Sequence, residues 1–258
     1  MDNASLRRVD RLEVRVHPDP AALARAAADE VAAVLQAAVD DKGVANAMFA
    51  TGNSQLAFVD QLVNATPGVP WSDVIVFHMD EYVGIGPDHP AGFQRWIRTR
   101  IAEPARPRVV HYVDGLADPA EECSRYAALL AAHPLDLCCL GVGENGHLAF
   151  NDPGVADLDD PLDVKVVELD AACRRQQVGE GHFPDETSVP AEALTVTVPA
   201  LLRARRVVAV VPDARKAVPV RDALEGPVGT SCPASALRTA ASAVLHLEPG
   251  SASLLAPA

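Results

Sequence analysis

The sequence lacks a long hydrophobic run, paired cysteines at metal-binding spacing and enough basic residues to balance its acidic ones. Each absence removes a class of function. No stretch of the 258 residues approaches the length of a bilayer-spanning helix. The opening "MDNASLRRVDRLEVRVHPDP" has no apolar core of the kind a secretion signal needs. A cytoplasmic protein with no membrane partner is the expectation. The five cysteines, Cys123, Cys138, Cys139, Cys173 and Cys232, are odd in number and show no C-x-x-C spacing, which reads against a disulfide framework and a zinc site. Lys and Arg total 22 against 35 Asp and Glu, a net charge of −13 that argues against a nucleic-acid partner. An anionic small molecule would need donors gathered locally.

What is present is an ordinary globular composition, 49% hydrophobic and 22% charged, enough for a single domain over residues 1–258. Short β-branched runs alternate with Ala/Leu-rich segments of helical period. "LEVRVH" precedes Asp19-Pro20, a helix cap and first helical residue, and then "AALARAAADEVAAVLQAAV". "VANAMFATG", "DVIVFHMDEY", "RVVHYV", "LDLCCLGVG", "DVKVVEL", "ALTVTV", "RVVAVVP" and "SAVLHLE" read as further strands, most followed by a helix. Apolar strands joined by helices predict an α/β fold: a mostly parallel sheet with helices on both faces. The Pro- and Asp-rich stretch from Asn151 to Asp163 opens a segment, residues 151–190, with the character of an active-site lid. The tail "PGSASLLAPA" reads as a frayed end.

Four apolar strands end in polar or glycine-rich clusters: Thr51-Gly52-Asn53-Ser54, Met79 to Tyr82, Gly141 to His147, and Pro212 to Lys216. Ligands of open parallel sheets bind beyond the carboxyl ends of the strands, so the four clusters are expected along one edge. Thr51 to Ser54 is either a phosphate cradle at a helix start or an ordinary turn capped by Ser54, and Lys216 supplies a positive group to the first reading. Asp80 and Glu81 are neighbours on an extended segment and point to opposite sides, so one faces the cleft. Asp80 is the choice, a base whose pKa burial would raise; otherwise both acids cap the next turn.

"GVGENGHLAFNDP" also permits two readings. Gly141, Gly143 and Gly146 fit G-x-G-x-x-G, with Glu168 about 20 residues on, as in a dinucleotide site. Pro153 and Pro161 interrupt the helix such a site requires. The other reading is a proton-shuttling His147 oriented by Asn145 and Asp152.

The order and spacing of "FHMDEYVGI", "HPAGFQRW", "LGVGENGHLAFNDPG", "VPAEALTVTVPALL" and "VVAVVPDARKA" resemble the glucosamine-6-phosphate deaminase/isomerase family, which shares its fold with the 6-phosphogluconolactonases. The resemblance runs from about Ala45 to Leu247. It implies a Rossmann-like three-layer sandwich that converts glucosamine 6-phosphate to fructose 6-phosphate and ammonia, with no metal or redox cofactor. Asp80 falls on the aspartate that moves a proton between C2 and C1, and His147 on the histidine that assists ring opening. Thr51, Gly52, Asn53, Ser54 and Lys216 fall on the phosphate pocket. The family's phosphate-binding arginine has no clean counterpart in "CRRQQVGEGHF", and Arg174 is the choice. Many members have Asp-Gly-His and Phe-Asn-Glu-Pro where this chain has Asn145-Gly146-His147 and Phe150-Asn151-Asp152-Pro153. Members differ in oligomeric state, which leaves a homo-oligomer open. A lactonase, in which His147 activates water, and a non-catalytic sugar-phosphate sensor are the alternatives.

Overall fold

The computed structural model describes residues 5–179, 181 and 183–256. Its strands are β1 (Ser5–Val9), β2 (Leu12–Val16), β3 (Ala45–Phe49), β4 (Val74–His78), β5 (Asp80–Tyr82), β6 (Val109–His111), β7 (Leu137–Leu140), β8 (Val164–Glu168), β9 (Glu192–Val196), β10 (Arg206–Val210) and β11 (Ala243–Leu247). Its α-helices are α1 (Pro20–Lys42), α2 (Leu56–Asp60), α3 (Phe93–Ile97), α4 (Glu103–Ala105), α5 (Pro119–Ala132), α6 (Ala171–Gly179), α7 (Val198–Leu202) and α8 (Ala217–Glu225).

Local sequence explains most of these boundaries. Asp19 caps α1 by accepting the Ala22 N–H at 2.8 Å, Pro20 occupies the first helical position, and Gly43 closes the helix at φ +76°. Such a cap contributes about 1 kcal/mol. Asp118 and Pro119 repeat the arrangement at α5.

Eight strands form one sheet in the order β1-β2-β11-β10-β7-β3-β4-β6, parallel throughout except for the β1–β2 pair. The inner strands β3, β4, β7, β10 and β11 are short and buried on both faces, so their side chains divide by alternation. Ala45, Ala47, Phe49, Val74, Val76, Leu137 and Cys139 pack under α1, α2 and α3, while Met48, Phe77, Cys138, Leu140 and Val207 pack under α5, α7 and α8. The adjacent Cys138 and Cys139 thus lie in different cores, and all five cysteines are free thiols.

Three features differ from the sequence reading. "DVKVVEL" and "ALTVTV" do not join the parallel sheet; they are β8 and β9 of a second, antiparallel sheet in the order β5-β9-β8. Helix α6 lies between them, but it packs on Tyr82, Phe93 and Phe150 instead of crossing over a parallel sheet, and the two strands pair antiparallel. The chain leaves the large sheet at Met79, whose carbonyl accepts the Val196 N–H at 2.8 Å, and Asp80 begins the small one. "SLRRV" forms an edge strand, β1, although its burial is too slight to leave an apolar pattern. The tail is held rather than frayed as far as Ala256: Ser251 is fully buried and the Ala256 N–H reaches Glu225. Residues 257 and 258 of that tail, and residues 180 and 182 of the expected lid, lie outside the described residues. Among the described residues no helix is long and apolar enough to cross a membrane.

Candidate active site

β10, β7, β3 and β4 are consecutive in the sheet, and the four polar clusters at their carboxyl ends surround one cavity. Thr51, Gly52, Asn53 and Ser54 line it from the turn after β3, Asp80 from the start of β5 just beyond β4, Gly141, Gly143 and His147 from the turn after β7, and Arg215 and Lys216 from the turn after β10. Gly52 makes the first turn possible at φ +97°. The buried Gln55 ties that turn to the next cluster, its Nε2 donating to the Val210 carbonyl at 3.1 Å and to Ser54 Oγ at 3.1 Å. The bare Gly141 leaves it room, since a Cβ there would stand 2.8 Å from Gln55 Nε2.

Asp80 and Glu81 divide as extended backbone requires. Glu81 faces away and gathers the N–H groups of Tyr82, Phe93 and Gln94 at 3.0, 3.1 and 2.6 Å, capping α3. Burial pushes its carboxyl up to about 7 against the pull of those donors. Asp80 lines the cavity, and its Oδ1 is buried without a hydrogen-bond partner. Burial first, and the Glu81 charge second, raise its pKa well above the usual carboxylate value. The bend that aims it is held from below. The Tyr126 hydroxyl accepts the His78 N–H at 3.1 Å and donates to the His78 carbonyl at 2.7 Å, while His78 Nε2 accepts the Val113 N–H at 2.9 Å. Burial keeps this histidine neutral, its pKa down at about 3.

His147 is oriented by two acceptors on one ring nitrogen. Asn145 Oδ1 lies 2.8 Å and Asp152 Oδ1 3.1 Å from Nδ1, and the Asn145 amide donates to the same Asp152 oxygen at 2.7 Å. Both partners of Nδ1 present oxygen, which fixes the proton there and leaves Nε2 as the basic atom of the neutral ring. Burial works against an ionised Asp152, but the bonds from His147 and Asn145 outweigh it and lower its pKa. Gly143 lies flat against the imidazole, so that any Cβ at this position would collide with the ring. Gly146 makes the turn at φ +85°, its bare face 2.7 Å from Cys232 Sγ on the scale of a Cβ. The turn that follows, Leu148 to Asn151, contains no helix, so the dinucleotide reading fails structurally as well.

A family model for glucosamine-6-phosphate isomerases and 6-phosphogluconolactonases matches residues 18–246. This chain belongs to that family. It is 33% identical over 207 residues to a glucosamine-6-phosphate deaminase of Exiguobacterium sibiricum, covering 80% of this chain and 79% of that one. A glucosamine-6-phosphate deaminase of Listeria innocua is 30% identical, covering 80% and 86%. Among solved structures, a monomeric glucosamine-6-phosphate deaminase superposes with a TM-score of 0.84 at 27% identity, over 93% of this chain and 99% of that one. A 6-phosphogluconolactonase from Shewanella baltica, at 20% identity and a TM-score of 0.74, covers 94% and 97% and shares the fold.

Asn145 and Asp152 do not line the cavity; both bond His147, and the short Asp152 still reaches the ring. Arg174, on α6, is not among the lining residues. The second cation there is Arg215, beside Lys216, which a count of basic residues at strand ends would have singled out. Phe93, Phe150, Gln176 and Gln177 also line the cavity and carried no sequence signal of their own. The two glutamines arrive on α6, where the Tyr82 hydroxyl donates to Gln177 Oε1 at 2.6 Å. A packed aromatic group of Tyr82, Phe93, Phe150 and Phe183 seats that helix over the site.

Proposed function

We propose that this enzyme converts glucosamine 6-phosphate and water to fructose 6-phosphate and ammonia. The observation that carries the reading is a buried, pKa-raised carboxylate with an unpartnered oxygen lining the same cavity as an oriented imidazole and two cations. Thr51 to Ser54, with Arg215 and Lys216, hold the phosphate. His147 Nε2 takes the proton of the anomeric hydroxyl and returns it to the ring oxygen, which opens the sugar. Asp80 then removes the proton from C2 while O1 gains a proton from the ammonium group, giving an enol that bears the neutral amine between C1 and C2, and the same carboxyl delivers its proton to C1. The product is an iminium at C2, which water hydrolyses to the ketose and ammonia. A raised carboxyl pKa suits a group that must both take and give a proton near neutrality.

Residues 151–190 serve as the cover of this site within a single catalytic domain, with Gln176 and Gln177 closing over the sugar. A phosphorylated sugar and an acidic surface fit a cytoplasmic enzyme without a nucleic-acid or membrane partner. Neither proton transfer requires a metal or redox cofactor. The deciding assay follows ammonia from glucosamine 6-phosphate alongside acid from 6-phosphogluconolactone. Ammonia release supports the proposal; acid release alone replaces it with a lactonase, and turnover of neither, despite tight phosphosugar binding, with a sensor.

Asn145 gives a second test. The neutral amide leaves Asp152 as the one negative partner of His147. Asn145→Asp places a second carboxylate 2.8 Å from Nδ1, where it stabilises the imidazolium and so withholds Nε2. The acid limb of the kcat/KM profile is expected to move up by about one pH unit. An unshifted limb would show that His147 is not the group whose protonation stops the reaction.

A further inference from the structure

The turn that presents Arg215 and Lys216 is strained and is held from elsewhere in the chain. At Asp213 the backbone adopts φ +85°, a left-handed conformation that costs a non-glycine residue free energy and persists where surroundings enforce it. The enforcing group is Glu248, the residue after β11, with a relative exposure of 6%. Its Oε1 accepts the N–H of Asp213 at 3.0 Å and of Ser251 at 2.8 Å, and its Oε2 accepts the N–H of Gly250 at 2.7 Å. Gly250 leaves space for the carboxylate, since a Cβ there would lie 2.8 Å from Glu248 Oε1 and 3.2 Å from the Ala214 nitrogen. Beyond Asp213 the bonds continue to both cations. Its Oδ1 accepts the Arg215 N–H at 2.9 Å, its Oδ2 accepts from the Arg215 guanidinium at 3.0 and 3.1 Å, and its carbonyl accepts the Lys216 N–H at 3.0 Å.

We propose that Glu248 is a positioning residue for phosphate recognition: its buried carboxylate fixes the strained Asp213 turn and thereby places the Arg215 and Lys216 cations at the cavity. The inference rests on reading that turn as the phosphate grip. Removing the carboxylate strands three N–H groups and lets Asp213 relax to negative φ, which carries the cations off position. Asp80 and His147 stand on other strands and keep their own supports. The loss therefore falls on phosphate affinity and KM, with kcat preserved, a split that general loosening of the fold does not produce.

The test compares the full-length wild type with Glu248→Ala, Glu248→Gln and Ser251→Ala. The last removes the hydroxyl that accepts the Glu248 N–H at 3.1 Å, loosening the same tail turn without touching the Asp213 bond. Calorimetry with inorganic phosphate gives Kd, and ammonia release from glucosamine 6-phosphate gives KM and kcat. Glu248→Ala is expected to raise phosphate Kd and KM about tenfold, with kcat within about twofold of wild type. Ser251→Ala is expected to leave all three within about twofold. Should Glu248→Ala not fold, Glu248→Gln decides, since one amide oxygen cannot replace both carboxylate oxygens and its N–H group opposes a backbone donor. Unchanged phosphate Kd in the folded Glu248 variant, or an equal loss in Ser251→Ala, overturns the inference. A wild type that binds phosphate yet releases no ammonia overturns the deaminase reading and leaves the phosphate comparison decisive for Glu248. A wild type that binds no phosphate overturns both.

Discussion

Asp80→Asn is expected to lower kcat about a thousandfold while KM stays within about twofold, because the amide keeps the shape of the carboxylate and loses its basicity. On the proposed reading, substrate is held chiefly through its phosphate, by the turns that follow β3 and β10. Ammonia release by the variant near the wild-type rate would remove Asp80 from the mechanism. The same substitution carries a stability signature of opposite sign. Burial and the Glu81 charge raise the Asp80 pKa in the folded protein. The unfolded chain loses this proton near pH 3.9, an approximate reference value, while the folded chain retains it to higher pH. Stability therefore falls as pH rises from the unfolded value to the folded one, and stays lowered above it. Asparagine has no charge to bury, so the variant is expected to melt above the wild type at neutral pH, with the gap closing as the solution is acidified. Melting curves between pH 4 and 8 check this. A wild type that outlasts the variant at pH 7 would mean that the buried carboxylate is compensated by something other than its neighbours described above.

Gly143→Ala is expected to cost about a hundredfold in kcat, although position 143 touches the site through its backbone alone. A methyl there occupies the space of the His147 ring, which must swing off Asn145 and Asp152. The glycine does not have positive φ, so alanine fits the backbone and the fold survives. If displacement of the imidazole is the whole effect, His147→Ala and the double variant lose no more than Gly143→Ala does, since two changes that remove one group are not additive. A double variant slower than both singles by the product of their effects would show that Gly143 contributes independently of His147.

The large sheet and the meeting of its strand ends were legible because each depends on local pattern. Runs such as "NAMF" and "VVAVV" are apolar throughout, helices of clear period follow them, and polar residues begin where burial stops. Pairing partners are not local, and that is where sequence reasoning failed: "ALTVTV" is as apolar as β10, yet it pairs with β5 and β8. Strand β1, with two arginines in five residues, has no pattern to read. At the site, Asp80 and His147 stood out as titratable groups at strand ends. Arg174 was chosen for its charge and is not among the residues that line the cavity, while Gln176 and Gln177 are neutral residues whose placement depends on how α6 docks. Glu248 was invisible for a related reason. Its partner Asp213 is far away in sequence and becomes a neighbour only because β11 pairs with β10.

The departure of the chain from the large sheet at Met79 has a mechanical outcome. Asp80 belongs to β5, β5 pairs with β9, β9 with β8, and β8 leads within three residues to the helix bearing Gln176 and Gln177. The proposed base and the two glutamines proposed to cover the sugar are thus joined through one three-stranded sheet. A substitution that unpairs β9 from its neighbours would therefore disturb both at once.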